Sequence, residues 1–308
     1  MGRTRRGCGC AIAVLLVVIG AAAYAGWKYV LPWWKTKPPP ASGGELQVHV
    51  LDVGPINGDS ILIISPTGKA VLIDAGDAGK GKVVLDALKR YNVKQLDLFI
   101  ATHPHPDHIG GADEFLKTTK VLNVIDNGLG PTVPESLATQ IKGVAPGEKR
   151  QVSKKPDKKA SVTKFYDEYR EAVGQSGAHY EKAEPGKTFD LGGGARLTIL
   201  APIQPFFTKE QMKTGGNEPN ANSVVVRLDY GDFSMLLTGD AEDQTEHRML
   251  TKDVNLKADI LKVSHHGSKY ATSADFIDRV KPAVAIVSCG EWNRYGHPSQ
   301  VVLDRLKG

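Results

Sequence analysis

Four side chains able to bind a metal fall within six residues of Thr102-His103-Pro104-His105-Pro106-Asp107-His108-Ile109-Gly110-Gly111. Imidazole and carboxylate together suit zinc, iron or manganese. His103 and His105 are two residues apart, so an extended strand end points both to one side. Asp107 and His108 follow where the chain turns into a helix and can face a second ion. A solvated histidine-rich loop is the plain alternative, but such a loop has no need of Asp107 at this position. Further along, Asp240 in Leu236-Leu237-Thr238-Gly239-Asp240 also ends an apolar run. An aspartate after Thr-Gly is often only a helix cap. Its parallel with Asp74, which ends a similar run, favours a ligand instead. His265-His266-Gly267-Ser268 offers the remaining imidazole. Two divalent ions so held polarise a phosphoryl or acyl oxygen and lower the pKa of bound water from about 15.7 toward about 7. Hydroxide then attacks without a Ser or Cys nucleophile, and Asp107 ligates or orients it. Protonation of the leaving group falls to His266 or His297, although His297 beside Pro298 reads equally as structural.

Short β-rich runs and helical patterns must position these groups. Strands are expected at Leu46–Val53, Ser60–Ile64, Ala70–Asp74, Leu96–Thr102, Ala195–Leu200, Ser223–Tyr230, Phe233–Thr238, Asp259–Val263 and Val284–Ser288. Val84, Ala87, Leu88 and Tyr91 share one helical face, as do Val162, Phe165, Tyr166, Tyr169 and Val173. Two stretches echo each other. A hairpin at 61–74 and a later strand running into Thr102-His103 match a hairpin at 224–240 and a later strand running into Ser264-His265. The echo implies two similar halves with chemistry where their strands end. It assigns His265, in the place of His103, as the ligand and leaves His266 as acid or substrate contact; the reverse assignment stays open. Between the halves, Gly128 to Lys159 is rich in Pro, Gly and Lys. Lys142, Lys149, Arg150 and Lys154–Lys159 read either as a solvated loop or as a phosphate-tracking rim.

The 308 residues carry 39 Lys+Arg against 34 Asp+Glu, a net charge of +5, with 41% hydrophobic residues. That composition is globular and excludes a disordered, collagenous or polytopic membrane chain. The mild positive charge is compatible with an anionic partner without requiring one. Cys8, Cys10 and Cys289 give neither a disulfide framework nor a zinc-finger spacing. Arg3, Arg5 and Arg6 precede an uncharged stretch from Gly7 to Trp27, followed by Lys28, Tyr29, Trp33 and Trp34. This reads as a signal-anchor over 1–34 that holds its basic end in the cytoplasm and puts the body outside the membrane. Ala23-Tyr24-Ala25 offers the alternative of a cleaved signal peptide and a secreted or periplasmic body. Residues 35–44 are a Pro/Ser/Gly-rich linker, and 45–308 form one hydrolase domain.

His103-x-His105-x-Asp107-His108, Gly239-Asp240 and the late histidine pair resemble the metallo-β-lactamase fold superfamily. Val50-Leu51-Asp52-Val53-Gly54, Gly58-Asp59-Ser60, Leu72-Ile73-Asp74-Ala75-Gly76, Asn222-Ser223-Val224-Val225, His265-His266-Gly267-Ser268 and Asn293-Arg294-Tyr295-Gly296-His297-Pro298 narrow the likeness. They resemble the extracytoplasmic hydrolase domain of ComEC-type DNA-uptake proteins, and phosphorylcholine esterases share much of the pattern. The resemblance implies a four-layer αβ/βα sandwich, here with an N-terminal membrane anchor, and two divalent ions, zinc or manganese. It implies His103, His105 and Asp240 around one ion and Asp107, His108, bridging Asp240 and His265 around the other. It also implies substrate contacts at Asn222, Ser223, Ser268 and Asn293. The expected reaction is hydrolysis of a phosphodiester, DNA among the candidates, by a metal-activated hydroxide; β-lactam hydrolysis is disfavoured because the best segment matches lie elsewhere. No protein partner is indicated.

Three departures stand out. The family's Val-Gly-Gln-Gly-Asp turn is two residues longer here, Val53 to Asp59, which predicts a displaced Asp59 loop. Asn220-Ala221-Asn222-Ser223 stands where the lactamase pattern has a further histidine; His179, far upstream in an expected loop, is a poor substitute. ComEC-type proteins also carry many membrane helices and a second domain, for which this chain has no room, so it is expected to be a short or truncated member rather than a translocase. The missing histidine and longer turn support an alternative, a non-catalytic metal-stabilised module that binds DNA or envelope polymer.

Overall fold

The computed structural model describes residues 44–54, 56–131, 160–212, 217–252 and 254–308. The proposed anchor at 1–34, nearly all of the linker and the lysine-rich stretch at 142–159 lie outside these residues. Among the described residues no helix is long and apolar enough to cross a membrane.

In chain order the first half comprises β1 (Gln47–Val50), β2 (Ile61–Ile64), β3 (Ala70–Ile73), α1 (Gly81–Arg90), β4 (Gln95–Ala101), α2 (Pro106–Ile109), α3 (Ala112–Leu116) and β5 (Lys120–Asp126). Helix α4 (Ala160–Ser176) and β6 (His179–Lys182) follow. The second half comprises β7 (Thr188–Gly192), β8 (Ala195–Ala201), α5 (Glu218–Ala221), β9 (Val225–Tyr230), β10 (Phe233–Leu237), α6 (Asp243–Thr251), β11 (Ile260–Lys262), α7 (Ala274–Val280), β12 (Val284–Ile286) and α8 (Gln300–Lys307).

Two six-stranded sheets form, ordered β1-β2-β3-β4-β5-β6 and β12-β11-β10-β9-β8-β7. Alternation along the strands sends one set of side chains between the sheets and the other outward. Ile61, Ile63, Val71, Ile73, Leu98 and Ile100 of the first sheet share a buried core with Leu197, Ile199, Val226, Leu228, Met235 and Leu237 of the second. The outer face of the first sheet, through Leu62, Leu72 and Phe99, is covered by Val84 and Leu88 of α1, Phe115 of α3 and Tyr169 and Val173 of α4. Leu236 and Leu261 of the second sheet pack under Met249 of α6 and Phe276 and Val280 of α7. The layers therefore run helix, sheet, sheet, helix.

The echo in the sequence is an echo in topology. Strands β1 to β5 pair antiparallel, antiparallel, parallel, parallel, and β8 to β12 do the same. The parallel steps align Ile73 with Ile100 and Leu237 with Lys262. His103 and His265 each lie three residues beyond those partners and are equivalent, whereas Asp74 is equivalent to Thr238, not to Asp240. The parallel between the two aspartates is thus offset by two residues. Strands β5, β6 and β7 are absent from the expected set, and His179 opens β6 rather than lying in a loop.

Candidate metal centre

The candidate ligands sit where β4, β10 and β11 end on the same rim of the sandwich. His105 is the N-cap of α2 and Pro106 its first residue, so the chain turns sharply from strand to helix. Gly110 and Gly111 allow that turn to pack against the segment after β3. A Cβ on Gly111 would lie 2.4 Å from the Ala75 carbonyl oxygen. Asp240 follows Gly239, whose left-handed φ of +52° and contact with the Thr102 side chain leave no space for a larger residue. His265 and His266 lie in a short 3-10 turn, Ser264–Gly267, and both have left-handed backbones with φ of +47° and +52°. Such conformations cost energy in non-glycine residues and persist where surrounding structure enforces them.

Asp240 is the centre of the cluster. Its Oδ1 lies 3.3 Å from His108 Nε2, and its Oδ2 lies 3.6 Å from His266 Nε2, 3.7 Å from His265 Nε2 and 3.9 Å from His103 Nε2. Asp107 Oδ2 is 3.5 Å from His266 Nε2 and 4.0 Å from His108 Nε2. His105 Nδ1 is 3.0 Å from His103 Nε2. His103, His108 and Asp240 form one compact donor set, and Asp107, His108 and His266 another. His108 Nε2, Asp240 Oδ1 and His266 Nε2 are buried without a hydrogen-bond partner. Buried polar atoms normally have partners, so converging unpartnered imidazole and carboxylate atoms fit divalent cations.

The opposite ring nitrogens are held from behind. His108 Nδ1 donates to Asp74 Oδ2 at 2.7 Å, and Asp74 also accepts from the Thr102 backbone N–H and hydroxyl. His266 Nδ1 donates to the Ser288 carbonyl at 2.9 Å. Each bond fixes a tautomer and leaves Nε2 free to face the cluster. Behind His266, Asp59 Oδ1 lies 3.6 Å from Nδ1, while Asp59 Oδ2 accepts from Lys262 Nζ at 2.6 Å. The longer turn therefore does not displace Asp59. The Asp59 N–H donates to the Asp107 carbonyl, and Ile56, three residues before it, is exposed.

The electrostatics match a cation site. Burial opposes ionisation of Asp240, yet His266, His108 and His265 hold its carboxyl well below the ordinary range. Burial likewise opposes charge on His266, but Asp240 and Asp59 push it up to about 9. His108 is raised for the same reason, burial being outweighed by Asp240, Asp74 and Asp107. Burial keeps His103 well below its ordinary value and His105 at about 4. The carboxylates thus demand positive charge within the cluster, from protons or from metal, and the two compete.

The expected residues fall into distinct places. His103, His105, Asp107, His108 and Asp240 come together. Of the late pair, His266 is buried inside the cluster, whereas His265 lies at its margin with Glu242 Oε1 3.5 Å from its Nδ1 and Asn220 Nδ2 3.1 Å from its Nε2. The left-handed turn swings the second ring inward, a geometry that position in the repeat cannot reveal. His297 lies outside the donor set, its ring 5.5 Å from that of His265, and burial lowers it to about 4. The four residues expected to contact substrate each have partners in the framework. Asn222 is buried and bonds Phe207 and Glu218; Ser223 Oγ accepts from the Asp240 N–H; Ser268 Oγ accepts from the Tyr270 N–H; Asn293 bonds Gly290 and His297. The side-chain amides of Asn222 and Asn293 are committed to protein partners, whereas Ser223 and Ser268 use their Oγ as acceptors. The supporting roles of Asp59, Asp74, Lys262, Glu242 and Asn220 were not assigned from sequence. Lys262 left a signal, a lysine inside the apolar run Ile260-Leu261-Lys262-Val263, and Asp59 and Asp74 stood within the motifs that carry the family resemblance.

Residues 53–195 match the family model of the metallo-beta-lactamase superfamily. The chain is 30% identical to ComE operon protein 3 of Bacillus subtilis, over 87% of this chain and 31% of that protein. It is 29% identical to Recombination protein 2 of Haemophilus influenzae, over 84% and 26%, and 23% identical to Competence protein ComA of Neisseria gonorrhoeae, over 96% and 35%. The chain thus spans about a third of the length of these relatives. Among solved structures, the metallo-beta-lactamase fold protein YhfI from Bacillus subtilis is similar with a TM-score of 0.47 and 13% identity, over 85% of this chain and 92% of that one. The match over residues 53–195, with the His-x-His-x-Asp-His turn inside it, places that segment in the metallo-β-lactamase superfamily, and the chain is similar to these competence and recombination proteins.

Proposed function

We propose that this protein is a metal-dependent hydrolase of phosphodiesters, with nucleic acid as its substrate. The observation that carries the reading is the convergence on Asp240 of buried, unpartnered ligand atoms from both halves of the fold. His103, His105 and Asp240 would hold one divalent ion, and Asp107, His108, Asp240 and His266 the other, with zinc or manganese suiting the donors. Ions bound there supply Lewis acidity and water activation. The chain's own part is to hold the site in register. Asp74 and Ser288 orient His108 and His266, Ser223 anchors the Asp240 backbone, and the Asp59–Lys262 pair seals the floor. Asp107, with its side chain 28% exposed, faces the open side from which substrate arrives. Nucleic acid is favoured over other phosphodiesters because relatives carry the names of competence and recombination proteins.

The test uses the purified full chain in detergent, loaded with Mn²⁺ or Zn²⁺, against labelled single- and double-stranded DNA and bis-p-nitrophenyl phosphate. Turnover that disappears in Asp240→Asn supports the reading. DNA binding without turnover, equal in wild type and Asp107→Ala, would replace it with a non-catalytic binding module. We further propose that residues 1–34 anchor the chain with residues 45–308 outside the membrane. The support is the Arg3/Arg5/Arg6 cluster before an uncharged stretch. Membrane fractionation with protease protection separates this from a cleaved, released form or a cytoplasmic body.

A further inference from the structure

The segment between β12 and α8 exposes two large aromatic side chains, and through His297 it reaches the margin of the metal centre. Trp292 is 76% exposed and Tyr295 63%, the two highest values among the exposed large hydrophobic residues described. The loop that carries them is tied down. Asn293 Nδ2 donates to the Gly290 and His297 carbonyls, and Asn293 Oδ1 accepts from the His297 N–H. The Gly290 N–H donates to the buried Asn57 side chain, which joins this loop to the turn ending at Asp59. The Tyr295 ring lies nearly parallel to that of His297, 5.8 Å between centroids and 20° between planes, and His297 lies 5.5 Å from His265 at the margin of the cluster. A chain of rings thus leads from the surface to the centre. The Arg294 guanidinium sits 5.2 Å from the Tyr295 centroid and remains exposed. Glu291 is the acidic neighbour in the same loop.

We infer that this loop is a stacking platform for unpaired nucleobases, with Trp292 as its main surface and Arg294 as its phosphate contact. The inference rests on the phosphodiesterase reading and adds to it that the substrate arrives single-stranded or with frayed ends. Bases in a duplex present only their edges, whereas unstacked bases present the π-faces that aromatic rings and guanidinium planes take up. The hydrogen bonds of Asn293 fix the platform before substrate arrives, so little ordering entropy is lost on binding.

Binding is measured apart from catalysis, with the full chain in EDTA and the anisotropy of a fluorescein-labelled twelve-nucleotide oligothymidylate. The comparison strand has the same length and charge but abasic sugars throughout. Trp292→Ala is expected to weaken oligothymidylate binding about tenfold, from the usual contribution of one stacked base. Trp292→Phe should retain most of the affinity, and the abasic strand should bind wild type and Trp292→Ala alike. Equal losses on both strands, or no loss on either, would overturn the platform. So would quenching of Trp292 by brominated lipid in nanodiscs, read as wild type minus Trp292→Phe, with oligothymidylate binding unchanged, since the loop would then serve a bilayer. If base-dependent binding holds while metal-loaded wild type hydrolyses no phosphodiester, the platform stands and the hydrolase reading falls. Turnover by wild type with no base dependence gives the converse.

Discussion

At the scale of single residues, the two adjacent histidines of the late turn have separate tasks. His266 Nε2 is buried between Asp107 and Asp240, while His265 is partly exposed and rests against Asn220 and Glu242. His266→Ala should therefore lose about one equivalent of bound metal by elemental analysis, and His265→Ala should keep the wild-type stoichiometry. Asp74 accepts from His108 Nδ1 and from Thr102, behind the cluster. Replacing it with Asn should lower metal affinity about 10- to 100-fold through the loss of ring orientation, read by competition with a chromogenic chelator. Lys262→Ala would leave the Asp59 carboxylate buried without its partner, and the expected cost is about 3–5 kcal/mol in urea denaturation. Little of this was legible in the sequence. Ligand types and spacing were, because metals demand a few residue types close together. Which ring turns inward depends on backbone sign at two residues, and the partner of Lys262 lies 203 residues away.

At the scale of elements, tight joints between strand ends and helices hold the rim together. The turn from α2 into α3 admits no side chain at Gly111, where backbone atoms of Ala75 and Gly81 would sit 2.4 and 2.6 Å from a Cβ. Gly111→Ala should cost about 3 kcal/mol, with the damage concentrated at the His105–His108 turn. The start of α7 is held by Glu246 of α6, whose carboxylate accepts from the Thr272 and Ser273 N–H groups. Burial outweighs those bonds and pushes its pKa up to about 7. An acid raised on folding makes the native state bind more protons than the unfolded chain between its two pKa values. Glu246 should therefore reduce stability progressively as pH rises from about 4.5 to about 7, by up to about 3 kcal/mol. Comparing denaturation midpoints of wild type and Glu246→Gln across this window checks the sign. The hairpins β2–β3 and β9–β10 and the parallel strands β4, β11 and β12 were readable from their apolar residues, whereas β5 and β7 were not. Strand β6, His-Tyr-Glu-Lys at a sheet edge, was not, because an edge strand with mostly polar side chains carries no hydrophobic period.

Across the whole molecule, two sheets of like topology face each other, and the centre needs both. The two facing halves were legible because the repeat of hairpin and parallel strand appears twice in the residues, and the ligand turns mark where each half ends; the four layers followed only from the family resemblance. The framework bonds of the Asn and Ser side chains taken as substrate contacts were not legible, because loop amides and hydroxyls serve backbone and ligand equally well until their partners are seen. A cation bound between the halves favours the folded chain over the unfolded one. Chelation should lower the thermal midpoint, and the shift should shrink in Asp240→Asn; equal midpoints with and without metal would contradict a shared centre. The order of the chain adds something further. The donors at 103–108 are translated before those at 240 and 266 and before the lysine that pairs with Asp59. A chain made only as far as the first half holds an open fork of histidines without the carboxylate that joins them, so the centre is expected to assemble only after Asp240 and His266 have been added.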